Sequence, residues 1–254
     1  MSKNIIAVIN QKGGVGKTTT TINLAAYLVK NGKSVLLVDA DPQGNTTSGL
    51  GLDKQNLGAT LYDVLFGRAP ASNVILQIGK QKLFILPSNA QLAGAEVELV
   101  SQPHRESQLR RVLADLDYDF ILIDCPPSLG LLTVNALGAA TSVLIPVQAE
   151  YYALEGLSQL LSVIQQVRTA LNPDLDILGV LITLYDSRNS LSAQVKAELQ
   201  NYFGVKLFET IVPRNVRLAE APSFGRTIIE HDKWSKGARA YKSLAREVER
   251  RALS

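Results

Sequence analysis

The stretch "IIAVINQKGGVGKTTTT" (5–21) constrains the fold of this chain more than any other. Ile5 to Ile9 form a short, unbroken apolar run, the pattern of a strand buried on both faces. A glycine-rich loop follows, and the threonine run after it opens a helix. Strand, loop and helix in that order make an anion-binding corner. The glycines let successive backbone N–H groups converge on one concavity, and the helix adds the positive end of its dipole. Lys17 stands where a cation reaches β- and γ-phosphates, and Thr18 where a hydroxyl meets Mg²⁺. The generic G-x-x-x-x-G-K-[ST] pattern wants glycine at position 11, which is Gln11 here, and a second lysine, Lys12, stands five residues before Lys17. The loop makes Gly13, Gly14, Val15, Gly16, Lys17, Thr18 and Thr19 candidate contacts to the phosphates of a nucleotide. Its spacing alone leaves Lys12 open, either a second phosphate ligand or a solvated surface residue.

Further apolar runs recur along the chain: "VLLVD" (35–39), "LFILP" (83–87), "FILID" (120–124), "VLIPV" (143–147) and "ILGVLIT" (177–183). Helical patterns lie between most of them. Leu24, Leu28 and Val29 form one stripe, stopped by Asn31-Gly32; Leu191, Val195, Leu199 and Tyr202 form another, stopped by Gly204. The alternation predicts an α/β fold, a doubly wound, mainly parallel sheet with helices on both faces. "SQPHRES" (101–107) reads as a surface loop between helices. With no repeat, low-complexity tract or linker, residues 1–254 read as a single domain, closed by a basic helix at about 232–252. In that helix Trp234, Ala238, Tyr241, Ala245 and Val248 would share an apolar face, while Lys242, Arg246 and Arg250 lie on another.

Two runs end in carboxylates. Asp39 and Asp41 follow "VLLV", and Asp124 follows "FILI". Both are carboxyl ends of expected strands, where ligands sit in open α/β sheets. An aspartate there can hold Mg²⁺ through water or orient an attacking water. Taken singly, each could equally be a turn residue before Pro42 or Pro126.

Cys125 is the sole cysteine, so no intrachain disulfide can form, and the apolar start is too short for a secretory leader. The expectation is a reducing cytoplasm, with no run approaching the ~20 apolar residues of a membrane span. Net charge is +3, unevenly placed: residues 204–254 carry eleven Lys/Arg against six Asp/Glu. That bias suits a polyanionic partner or, as plausibly, a solvated basic helix.

"KGGVGKTT", "LLVDADPQGN", "ILIDCPPSLG" and "VPRNVRLAEAPSFG", in this order, closely resemble the ParA/Soj partitioning ATPases. These are P-loop NTPases with a deviant Walker A motif, a group that also includes MinD. The resemblance spans residues 5 to about 250. It implies that Lys12 is the signature lysine, reaching the phosphates bound by a partner subunit, while Lys17 serves its own. It implies catalytic roles for Lys12, Lys17 and Asp41, with Asp41 positioning water. Thr18, Asp41 and Asp124 would hold Mg²⁺, Asp39 would support them near Lys12, and Pro213 and Asn215 would flank the adenine. Cys125 reads as a small buried hydrophobe. The resemblance further implies an ATP-dependent homodimer and non-specific binding of double-stranded DNA through Arg188, Lys196, Arg217, Lys242 and Arg246. A ParB-type centromere-binding protein would stimulate hydrolysis, and the chain would be nucleoid-associated. A MinD-like membrane reading would need bulky apolar residues facing lipid, and "LAREVERRAL" (244–253) offers few. A cluster-bridged reductase would need more cysteines. A nucleotide-binding interaction module without turnover would not need Asp41 and Asp124.

Overall fold

The computed structural model describes residues 3–150 and 153–252, with the backbone alone for 153–155. The two ends of the expected unit, residues 1–2 and 253–254, lie outside them. Eight strands form one sheet: β1 (Asn4–Val8), β2 (Val35–Asp39), β3 (Leu76–Gln77), β4 (Leu83–Leu86), β5 (Phe120–Asp124), β6 (Ser142–Gln148), β7 (Asp176–Tyr185) and β8 (Leu207–Pro213). Their spatial order is β3-β4-β2-β5-β1-β6-β7-β8. Every pairing is parallel except β3 with β4. The six apolar runs read from sequence are β1, β2, β4, β5, β6 and β7. β3 is two residues long, too short for any period to show. β8, "LFETIVP", was not among the runs because Glu209 and Thr210 interrupt it, as suits an edge strand with one free side.

Alternate residues of the strands feed two cores. Ile5, Ala7 and Ile9 face one side; Ile6 and Val8 face the other. The second side is covered by α1 (Lys17–Lys30), through Leu24, Ala25 and Leu28. Asn31 caps that helix and Gly32 takes the left-handed conformation (φ 93°), the stop expected there. Next along the chain comes α2 (Asn45–Gly49), a short helix directly after β2. The opposite face carries α3 (Leu131–Ala139), α4 (Ala153–Ala170) and α5 (Ser190–Phe203). On α5 the expected stripe holds at Val195 and Leu199 but fails at Tyr202, which is 65% exposed. Phe203 packs against the core instead.

The last helix, α6 (Lys236–Ala252), returns to lie on α1 and β8. It begins later than expected. The Ser235 hydroxyl accepts the Ala238 N–H and so caps the helix. Trp234, just outside, is 78% exposed and takes no part in the apolar face expected to include it. That face is Ala238, Tyr241, Leu244, Ala245 and Val248, all buried. Polar contacts fix α6 in place. The Tyr241 hydroxyl pairs with Thr20 on α1 at 3.1 Å. Glu247 accepts the backbone N–H groups of Glu209 and Thr210, and Arg251 donates to the carbonyls of Leu178 and Leu207. Among the described residues no helix is long and apolar enough to cross a membrane.

Candidate nucleotide-binding site

The sheet order reverses direction around β1, so the loop after β1 opens into the crevice where open α/β sheets bind ligands. Asn10, buried at its start, organises that loop. Its side-chain nitrogen donates to the Pro146 carbonyl and its oxygen accepts the Lys12 N–H. The Thr183 hydroxyl holds the Val15 carbonyl at 2.7 Å, and Gln11 donates to the Gly156 carbonyl. Gly14 and Gly16 take left-handed conformations (φ 75° and 87°) that a side chain would strain, and Gly16 caps α1. The result is a loop fixed to β6, β7 and α4.

The two lysines sit in different surroundings. Lys17, the first residue of α1, is buried, and its ammonium donates back to the Lys12 carbonyl at 3.3 Å. Burial pulls its pKa down, opposed by the nearby Asp124 and Asp41 carboxylates. Lys12 is half-exposed and ion-paired to Glu150 at 2.5 Å. Glu150 was not singled out from sequence, and nothing in its local pattern marks it.

Beneath the loop lie the carboxylates. Parallel pairing of β2 with β5 sets Asp39 directly beside Asp124, both fully buried. One Asp124 oxygen accepts two hydroxyls, Thr18 and Thr46, each at 2.7 Å, and the other lies 3.5 Å from the Thr21 hydroxyl. Burial raises its pKa to about 6 despite those donors. Asp39 accepts both the backbone N–H and the hydroxyl of Thr47, and the Asp41 N–H at 3.4 Å. Burial and the Asp124 charge raise it to about 7. Asp41 is buried at the mouth and accepts the Gln43 N–H, making the turn its position before Pro42 allows. Cys125 is buried and its thiol pKa pushed up, as a small hydrophobe in the core.

Thr46 and Thr47 were missed in the sequence. The signal available was the hydroxyl pair in "QGNTTSG", next to the β2 carboxylates. Through them α2 is hydrogen-bonded to both buried aspartates at once. Asp39, expected near Lys12, gives its oxygens to Thr47 and Asp41.

The donor set suits Mg²⁺. Thr18 and Asp124 offer hard oxygens in contact with each other, and Mg²⁺ sites use one or two carboxylates with waters and phosphates rather than an all-protein cage. Among the described residues no group of three His, Cys, Asp or Glu could hold a metal ion.

The remaining expected residues are placed as follows. Pro213 ends β8. Asn215 caps the short helix Val216–Glu220 by accepting the Leu218 N–H, an ordinary strand-to-helix corner. Arg188 and Arg217 lie on segments tied together where the Arg214 N–H meets the Tyr185 carbonyl. Lys196, on α5, is exposed. Lys242 and Arg246 are exposed on the outer side of α6, away from its packed face.

Residues 3–177 match the model of a family described as an AAA domain. The sporulation initiation inhibitor protein Soj of Bacillus subtilis is 55% identical over 246 residues, covering 96% of this chain and 97% of that protein. The chromosome partitioning protein ParA of Myxococcus xanthus is 54% identical, covering 97% and 88%. A crystal structure named as the cobyrinic acid a,c-diamide synthase of Mycobacterium smegmatis, with bound ADP and magnesium, superposes with a TM-score of 0.88. It is 40% identical, covering all of this chain and 96% of that one.

Proposed function

The chain belongs to the ParA/Soj family of partitioning ATPases, and from that premise we propose that it is a nucleotide-switched DNA carrier: its ATP-bound form pairs with a second copy, and the pair holds DNA without regard to sequence. The observation that carries the reading is the division between its two lysines. Lys17 is buried within the loop, where it can neutralise phosphates of its own nucleotide. Lys12 is half-exposed, and its exposed ion pair with Glu150 can be exchanged for the phosphates of a partner's nucleotide.

The chemistry follows from the site. Backbone N–H groups of Gly13 to Thr19 cradle the phosphates, and Lys17 takes the charge nearest the leaving oxygen. Thr18 and, through water, Asp124 would hold Mg²⁺, which would supply positive charge to offset that developing on the phosphates. Asp41, at the mouth, orients the attacking water. Lys12 of one subunit enters the other's site and supplies a cation to the transition state, as an arginine finger does. Hydrolysis removes the γ-phosphate that joins the subunits, so the dimer and its doubled cationic surface dissolve together. A ParB-type protein at the centromere is the partner that would accelerate this step. The cations proposed for DNA are Arg188, Lys196, Arg217, Lys242 and Arg246, and binding through them would place the protein on the nucleoid.

A lipid-binding role for the C-terminal helix is disfavoured, because its apolar side is consumed by α1 and β8. The test is DNA binding with ATP, with ADP and without nucleotide. Retention with ATP alone supports the reading; equal retention in all three refutes it.

A further inference from the structure

The arginines best placed for DNA do not stand free. Arg188, 89% exposed, grips Asp186 as a fork: Nε to Oδ1 at 3.0 Å and Nη2 to Oδ2 at 2.8 Å. The charge of Arg214 also falls on Asp186. Arg217 donates to Glu220 at 2.9 Å and lies 3.7 Å from Asp232, while His231 approaches Glu220 at 3.4 Å. Arg188 and Arg217 are therefore each paired with a carboxylate. A surface that only had to hold a polyanion would gain nothing from these acids.

We propose that Asp186 and Glu220 compete with DNA phosphates for Arg188 and Arg217, so that one subunit alone holds DNA too weakly and only the paired surface succeeds. This rests on the reading that this face meets DNA. Exposed ion pairs of this kind are weak and exchange readily, so the arginines can leave their carboxylates when enough phosphate is offered. An arginine held by its carboxylate neutralises DNA phosphate less fully, and so releases fewer of the cations condensed on the DNA. Its contribution to affinity, and to the salt dependence of affinity, is correspondingly reduced. Asp186 remains ionised, since the Arg188 hydrogen bonds hold its carboxyl down at about 2.

Asp186→Asn and Glu220→Gln remove the charge and keep the shape. An asparagine oxygen can still accept the Arg188 N–H that closes the turn at Asp186. Asp186 and Glu220 bond Arg188 and Arg217 rather than Lys17, Asp41 or Asp124, so ATP turnover measured without DNA should be unchanged in both. The measurement is fluorescence anisotropy on an unrelated duplex with a non-hydrolysable ATP analogue, from 50 to 200 mM salt, alongside Arg188→Ala. Dimerisation is checked by light scattering. Freeing one arginine per subunit adds about two phosphate contacts per dimer, so the salt slope should steepen by about 1.8 and low-salt affinity should rise roughly tenfold. Arg188→Ala should weaken binding. If Asp186→Asn binds as wild type or more weakly while Arg188→Ala is impaired, the carboxylate positions the arginine instead, and the competition is overturned. If Arg188→Ala binds as wild type, the face is not the contact and the proposal falls with the reading beneath it.

Discussion

Replacing Asp124 by asparagine should change how the nucleotide-free protein responds to pH. Asp124 is fully buried, and its pKa is raised from 3.8 to about 6. A carboxyl whose folded pKa exceeds its unfolded value binds more protons when native. Stability is then lost as pH rises from about 4 to 6, and it stays lost above that range. The shift of about two pKa units corresponds to about 3 kcal/mol. Asp124→Asn cannot ionise, so its stability should fall by about 3 kcal/mol less than wild type between pH 4 and pH 8. Comparing the two pH values cancels any fixed effect of placing a carboxamide beside the Thr18 and Thr46 hydroxyls. Asp39, raised first by burial, should still give the variant a residual loss, smaller than in wild type because the Asp124 charge that helps raise it is gone. The assay is urea unfolding followed by far-UV circular dichroism, because exposed Trp234 would report poorly on the core. A variant with the wild-type pH slope would refute a buried, strained carboxylate beneath the loop. The same variant should lose the extra stability that magnesium nucleotide confers on wild type, which is about 2.7 kcal/mol at a hundredfold excess over Kd.

Asp41→Ala should bind ATP and dimerise but hydrolyse about 10²-fold more slowly or worse, as expected when one positioning group is lost; single-turnover phosphate release with DNA and partner checks it. Leu244→Ala, at the buried centre of α6, should destabilise the fold by about 2–5 kcal/mol, read as a lower urea midpoint, with an unchanged oligomeric state at saturating ATP analogue. Arg217→Glu should weaken binding to two unrelated duplexes alike while leaving ATP-driven dimerisation intact; a loss confined to one duplex would show base reading instead of phosphate contact.

The central strands were legible because burial on both faces demands nearly unbroken apolar runs, and few other patterns produce them. The phosphate loop was legible because its chemistry needs particular residues at fixed spacing after a strand. Other features were not. Trp234 looked like a helix-face residue by spacing, but the hydroxyl of Ser235 captured the cap and began the helix beyond it. β8 was hidden because an edge strand exposes one side and can carry Glu209 and Thr210. Thr46, Thr47 and Glu150 gain meaning only through partners 78, 8 and 138 residues away in the chain. Only the sheet's parallel pairing makes Asp39 and Asp124 neighbours. The pairing of Arg188 and Arg217 with acids was likewise invisible to a charge count, which sums cations and acids without showing which of them touch.

The division of labour between the two lysines is tested most directly by the mass of the complex in solution. Wild-type protein with a non-hydrolysable ATP analogue should scatter light as two chains. Lys12→Ala should bind the same analogue, shown by equilibrium dialysis, and scatter as one chain. Lys17→Ala should fail at nucleotide binding itself. A Lys12→Ala protein that dimerises with ATP as wild type does would contradict the account, because Lys12 would then serve nothing beyond its own subunit.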